Sequence, residues 1–217
     1  MTSLARRERE ALCDLALELG PDAPTAPGRT VEDLVAHLLL VERHPYGVAG
    51  LTQPRFAKYT RSSRARERER GFPEMVERLR NPGLTPWLLP FDARRLTTLE
   101  LVVAHEDMRR VGKEWKQRKT TQADDNALWR RLRLSSRRLV RQVGIPRDVS
   151  VVLERSDPPK SRMRVRRGQG PLVIKAKPLE LVYVLHGGRR HYNVSITGPE
   201  WVMDRIRQAE ILTLRWY

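Results

Sequence analysis

The hydrophobic period of this chain changes once, close to Pro146, and that change constrains the fold more than any other feature. Up to Gly144 apolar residues recur at helical spacing. After Pro146 they fall into short blocks bounded by Gly, Pro, Ser and Asp, the pattern of strands joined by tight turns. The expected fold class is therefore α+β overall, with a helical domain over residues 1–145 and a small α/β domain over 146–217.

Within the first part, Leu4, Ala11, Leu12, Leu15 and Leu19 fall at helical spacing, and Gly20-Pro21 ends that helix. Thr30 can cap a second helix with Asp33 three residues on, in the capping-box position, and Leu34, Val35, Leu38, Leu39 and Val41 form its apolar face up to His44-Pro45. Residues 47–90 are rich in loop formers, interrupted by a charged helical stretch from Arg61 to Gly71 and another helix from Pro73 to Arg80. Leu96, Leu99, Val102, Val103, Met108 and Val111 give the third long helix a wide face that must be buried. A last helix starts at Thr121 or Gln122, carries Leu128, Leu132, Leu139 and Val143, and stops at Gly144 and Pro146. The long helices predict a four-helix bundle. Beyond it, strands are expected at Val149–Leu153, Met163–Arg167, Leu172–Ala176 and Tyr192–Thr197, with helices at Pro178–Leu185 and Pro199–Ala209.

Charge decides which partners to consider. The 217 residues hold 42 Lys+Arg against 26 Asp+Glu, a net charge of +16. Split at Gly144, 28 basic and 19 acidic residues precede the cut and 14 basic and 7 acidic follow it, so the excess reads as spread along the chain. The densest basic stretches are Arg130 to Arg141 and Arg162 to Arg167. Aromatics make up 6%, and no zinc-finger, RNP-like or GXXG pattern accompanies the charge. A lone cysteine, Cys13, excludes a disulfide framework and a cysteine zinc cluster, and reads as a small core residue. With no apolar run of membrane-spanning length and an N-terminus charged within ten residues, the chain is expected to be soluble and cytoplasmic, without a membrane partner.

Candidate chemistry sits in the bundle. His37 lies on the inward half of the second helix, and Asp33, four residues earlier on the same face, is placed to orient one ring nitrogen as the outer partner of a metal-ligating imidazole. The same pairing also describes a core histidine hydrogen-bonded to a local carboxylate. On the third long helix Glu100 stands among apolar residues, where a carboxylate needs a cation, a proton or a hydrogen-bond partner. Asp107 follows two turns later on the same face, His105 is rotated by about 140° from Glu100, and Ala104 holds the i+4 position.

These blocks, together with Leu4-Ala-Arg-Arg-Glu-Arg-Glu-Ala-Leu-Cys-Asp-Leu, Gly20-Pro-Asp-Ala-Pro-Thr25, Thr30-Val-Glu-Asp-Leu-Val-Ala-His37-Leu, Ala127-Leu-Trp-Arg-Arg-Leu and Thr197-Gly-Pro199, resemble the mycothiol-dependent maleylpyruvate isomerase-like family of the DinB-like metal-binding superfamily, in particular its actinobacterial metal-binding subgroup. The resemblance implies a DinB-like four-helix bundle followed by a small α/β domain. It implies a divalent metal, zinc, held by His37 and Glu100. The third ligand position falls on Ala104, so the implied metal site is degenerate, with Asp107 or His105 as stand-ins and Asp33 outside the ligand shell. It further implies mycothiol as a cofactor whose metal-bound thiolate serves isomerisation or transfer on a small anionic substrate. A second reading stands beside it: a non-catalytic binding protein that presents its basic surface to nucleic acid or an acidic partner. His186-Gly-Gly-Arg-Arg-His191 reads as a helix-to-strand connection that could also hold an anion.

Overall fold

Ser3 starts the first helix: its side chain accepts the Arg6 backbone N–H at 3.3 Å, and the chain then runs as α1, Leu4–Leu19, until Gly20 turns it at φ 81°. These are residues of a computed structural model that describes 3–26, 28–44, 51, 53–81, 92–111, 115–188 and 190–208. The chain divides into two compact units, residues 1–115 and 116–216, rather than at 145/146.

In the first unit a short antiparallel pair, β1 (Pro24–Ala26) and β2 (Arg29–Thr30), precedes α2, Val31–Arg43. The loop expected between the first two helices is thus partly a hairpin. Thr30 Oγ1 accepts the Asp33 N–H at 3.2 Å and Asp33 accepts the Thr30 N–H at 3.1 Å, completing the capping box. A 3₁₀ turn, Pro54–Phe56, leads into α3, Ala57–Arg68. It is followed by α4, Phe72–Arg80, and α5, Asp92–Arg109. The core is made by Leu12, Cys13 and Ala16 of α1, Val35 and Leu39 of α2, Met75, Val76 and Leu79 of α4, and Leu101, Ala104 and Met108 of α5. Each large apolar side chain there contributes about 2 kcal/mol by leaving water. The helices that share this core are α1, α2, α4 and α5; the place expected for 122–142 is filled by the short α4, and α3 packs against α2.

The second unit opens on that long helix, α6, Gln122–Gln142. Its buried face, Leu128, Trp129, Leu132, Leu139 and Val140, packs against α7 (Pro178–Leu185) and β4 (Ser161–Arg166). The sheet holds β3 (Val149–Arg155), β4, β5 (Gln169–Ala176) and β6 (Ser195–Thr197) in the order β4-β3-β5-β6. β3 pairs antiparallel with β4 and parallel with β5, which makes the sheet mixed. The connection from β4 to β5 is short, and β5 runs past Gly170 at φ 57°, where a Cβ would come within 2.6 Å of the Trp201 ring. Every residue of α7 is buried, including Glu180, whose carboxylate interrupts the apolar run and accepts the Asn193 N–H at 3.1 Å. α8, Glu200–Gln208, closes the described chain. Arg155 is 2% exposed and donates to Asp157, to Asn126 Oδ1 at 2.8 Å and to the Pro158 carbonyl at 3.2 Å, tying β3 to α6. Among the described residues no helix is long and apolar enough to cross a membrane.

Candidate nucleic-acid interface

The residues expected to hold a metal are dispersed into other contacts. His37 is half-buried on α2 and meets Arg64 of α3, whose Nη2 lies 3.4 Å from His37 Nδ1. Burial first, then the positive charges of Arg64 and Arg29, push its pKa down to about 4. Asp33 does not orient this ring. Its carboxylate is turned back to the helix start by the capping box and takes the Arg68 guanidinium. A carboxylate at that helix position satisfies an otherwise orphaned N–H, and this use of Asp33 prevails over the one facing His37.

His105 is buried, and its Nδ1 lies 2.9 Å from Glu8 Oε2, so the pair links α5 to α1. Glu8 was not singled out from sequence. The signal is present, since Glu8 sits between Leu4 and Leu12 at four-residue steps, on the stripe that α1 buries. Glu100 and Asp107 are half-buried on α5, and Ala104 is in the core. Among the described residues no three His, Cys, Asp or Glu side chains gather as a metal-binding group. With an arginine against His37 and a methyl group at position 104, this donor set does not fit a divalent cation.

The two densest basic stretches, by contrast, do come together. The C-terminal half of α6, the turn after it and the end of β4 enclose a cleft of about 530 Å³, lined by Arg137, Val140, Arg141, Arg147, Val165, Arg166 and Arg167. The helix builds its side of the cleft simply. Leu128, Leu132 and Leu139 anchor one face, which leaves Arg130, Arg133, Arg137 and Arg141 within a narrow arc of the opposite, exposed face. Arg166 is the structural member. It donates from Nε to the Val149 carbonyl at 3.0 Å and from Nη1 to the Ile145 carbonyl at 3.2 Å, so it fixes the turn; burial lowers its pKa.

Arg137, Arg141, Arg147 and Arg167 are exposed, and among the described residues none of them forms an ion pair or a side-chain hydrogen bond. Asp148, the carboxylate beside Arg147, is taken by Arg205, whose hydrogen bond holds it below the usual carboxylate range. Together with Arg166, five guanidiniums therefore border one concavity whose lining contains no carboxylate among the described residues. Such a concavity concentrates anions.

The unit boundary also changes the meaning of the net charge. Residues 1–115 hold 19 Lys+Arg and 17 Asp+Glu, a net +2, while residues 116–216 hold 23 and 9, a net +14. The excess looked even only because a cut at Gly144 assigns the arginine-rich α6 to the first half.

No protein-family model, no curated protein and no solved structure matches the chain. The remaining features read from sequence are internal. Cys13 is fully buried, 3.6 Å from the Val76 carbonyl, and burial pushes its thiol up to about 11. His186 is buried with Nδ1 2.8 Å from the Val182 carbonyl. Arg189, in the Gly-Gly-Arg-Arg connection, lies outside the described residues.

Proposed function

We propose that this chain binds nucleic acid, and that its C-terminal unit holds the phosphate backbone in the arginine cleft. The observation that carries this reading is the convergence of Arg137, Arg141, Arg147 and Arg167, without a carboxylate partner among the described residues, on a unit of net charge +14. Guanidinium groups match phosphate oxygens in a planar, two-donor geometry, and their weak hydration makes them effective at such contacts. The stripe from Arg130 to Arg141 extends the site to about 16 Å along the helix. That length favours a polymer with a charge at every step, about 3.4 Å of axis per phosphate on one strand, over a single small anion. Backbone contacts position a protein without reading bases, and the cleft lining contains no aromatic side chain for stacking.

The test is binding of the full chain to a fluorescently labelled duplex of about 20 base pairs across a salt series. Four phosphate contacts give a slope of log affinity against log salt of about −3.6. Changing Arg137 and Arg141 to Gln together should reduce the steepness by about 1.8 on the same scale. No binding at low salt, or binding that both substitutions leave unaltered, overturns the reading.

A further inference from the structure

Two side chains one turn apart on α2, Asp33 and His37, meet two side chains one turn apart on α3, Arg68 and Arg64. The first contact is a carboxylate on a guanidinium, with Glu32 3.3 Å from the same Arg68. In the second contact an imidazole stands where a carboxylate would compensate the charge. The guanidinium can only donate, so His37 Nδ1 accepts and the ring proton belongs on Nε2. Among the described residues Nε2 has no partner, and Arg64 Nε is buried and donates to nothing. Arg29, on β2 just before the helix start, is a second guanidinium, whose positive charge acts on both His37 and Arg64 and which forms no ion pair among the described residues.

Its neighbours elsewhere in the first unit show what is missing. Arg9 reaches Glu42, Arg78 reaches Glu67 and Arg110 reaches Glu106, each a partly or fully buried guanidinium with its carboxylate supplied by the chain. Arg64 is also half-buried, and burial, together with Arg29 and Arg68, lowers its pKa against the opposing charge of Asp33, a carboxylate already bound to Arg68. A half-buried cation with no carboxylate in direct contact among the described residues is costly, and an external anion removes that cost.

We propose that Arg29, His37 and Arg64 form a binding site for the oxyanion group of a small molecule, a carboxylate or a phosphate. The oxyanion takes the place that a carboxylate side chain fills at Arg68, accepting from Arg64 Nε–H, from the Arg29 guanidinium and from His37 Nε2–H. No bond is made or broken. The site is independent of the arginine cleft, and it inverts the charge of ligand expected at His37, from a metal cation to an anion.

The experiment follows the His37 ring nitrogens by NMR in the full chain at neutral pH, titrating inorganic phosphate, acetate and zinc chloride separately. Phosphate, acetate or both should shift the His37 signals to saturation, and whichever binds more tightly identifies the source of the oxyanion. Arg64→Gln and Arg29→Gln should each weaken that binding by about tenfold, while Arg66→Gln, exposed on the same helix, leaves it unchanged. Two variants on different elements guard against misfolding of either one. Absence of a saturable shift with both anions overturns the proposal, as does a shift that survives both substitutions. Saturation by zinc alone also overturns it and restores the cation site.

Discussion

The two compact units contain nearly the same number of basic residues, 19 and 23, and use them in opposite ways. In residues 1–115 guanidiniums are spent on the chain itself: Arg9 on Glu42, Arg68 on Asp33, Arg78 on Glu67, Arg80 on Asp14, Arg110 on Glu106. In residues 116–216 the nine carboxylates are too few. Arg155 and Arg205 find Asp157 and Asp148, whereas the arginines of the α6 stripe, with Arg147 and Arg167, face solvent. Arginine content alone therefore says little; its ratio to carboxylates within one folded unit distinguishes a charge that holds structure together from a charge that is available to a partner.

The sharpest way to break this comparison is to remove the available charges and leave the internal ones. Changing Arg137, Arg141, Arg147 and Arg167 together to Gln should weaken duplex binding by roughly 1000-fold at low salt, at about 1 kcal/mol per exposed contact. Changing Arg61 and Arg66 of the first unit to Gln, both exposed, should shift it less than about twofold. Anisotropy titrations at one salt concentration compare the two. Equal losses in both would mean that net charge, and not the cleft, sets the affinity.

Acid tests both units by a different route. His186 of the second unit is 4% exposed, and burial pushes its pKa down to about 4 although the Val182 carbonyl opposes this. In the unfolded chain it protonates near 6.5, so below that pH the unfolded state binds a proton that the folded state refuses. Stability from this group is complete above pH 6.5 and declines as pH falls towards 4, by about 3 kcal/mol in all. Urea unfolding followed by tryptophan fluorescence at several pH values should show that slope, and His186→Asn should reduce it by this contribution, while His37 of the first unit, also lowered to about 4, keeps its own share over the same window. In the first unit the buried carboxylate of Glu67 adds a second source of acid sensitivity. Burial raises its pKa, but hydrogen bonds from His44 and Arg78 outweigh that and hold it below the usual range, so its stabilisation is lost as pH falls through the lowered value.

Most helices were legible because each carries its own start, stripe and stop. Thr30 caps where the capping pattern suggests, Thr121 is one of the two expected starts of its helix, and Gly20 and Gly144 turn where the apolar period ends. What the period does not encode is which stripe meets which. Leu128, Leu132 and Leu139 fit a bundle as well as they fit α7 and β4, and that ambiguity grouped α6 with the earlier helices and hid the charge asymmetry between the two compact units. The candidate site suffered from the same limit. His37 and Arg64 are 27 positions apart, and Glu8 and His105 are 97 apart, so neither contact leaves a trace in local spacing. The basic stretches around Arg137 and Arg167 were visible, and only the antiparallel pairing of β3 with β4 and the packing of α6 on β4 bring them to one cleft.

A smaller effect tests whether the first unit depends on internal pairing. Glu8→Leu removes the acceptor of buried His105 and should cost about 2 kcal/mol, while Glu8→Gln, which can still accept, should cost less. Neither should change duplex binding if the cleft alone carries it.

The smallest effect lies at the start of α2. Thr30→Ala deletes the hydroxyl that accepts the Asp33 N–H, and the expected loss is about 1 kcal/mol, read from the urea midpoint of the full chain. Thr30→Ser keeps an equivalent oxygen and should recover all but a few tenths of it. The substitution also tests how Asp33 is held. Its carboxylate answers both the Thr30 N–H and Arg68, and the second contact persists when the first half of the capping box is lost. Asp33→Ala removes both and should therefore cost more than Thr30→Ala. If the two variants cost the same, the Arg68 contact contributes nothing measurable, and the compensated pair that makes Arg64 stand out in this unit is weaker than its geometry suggests.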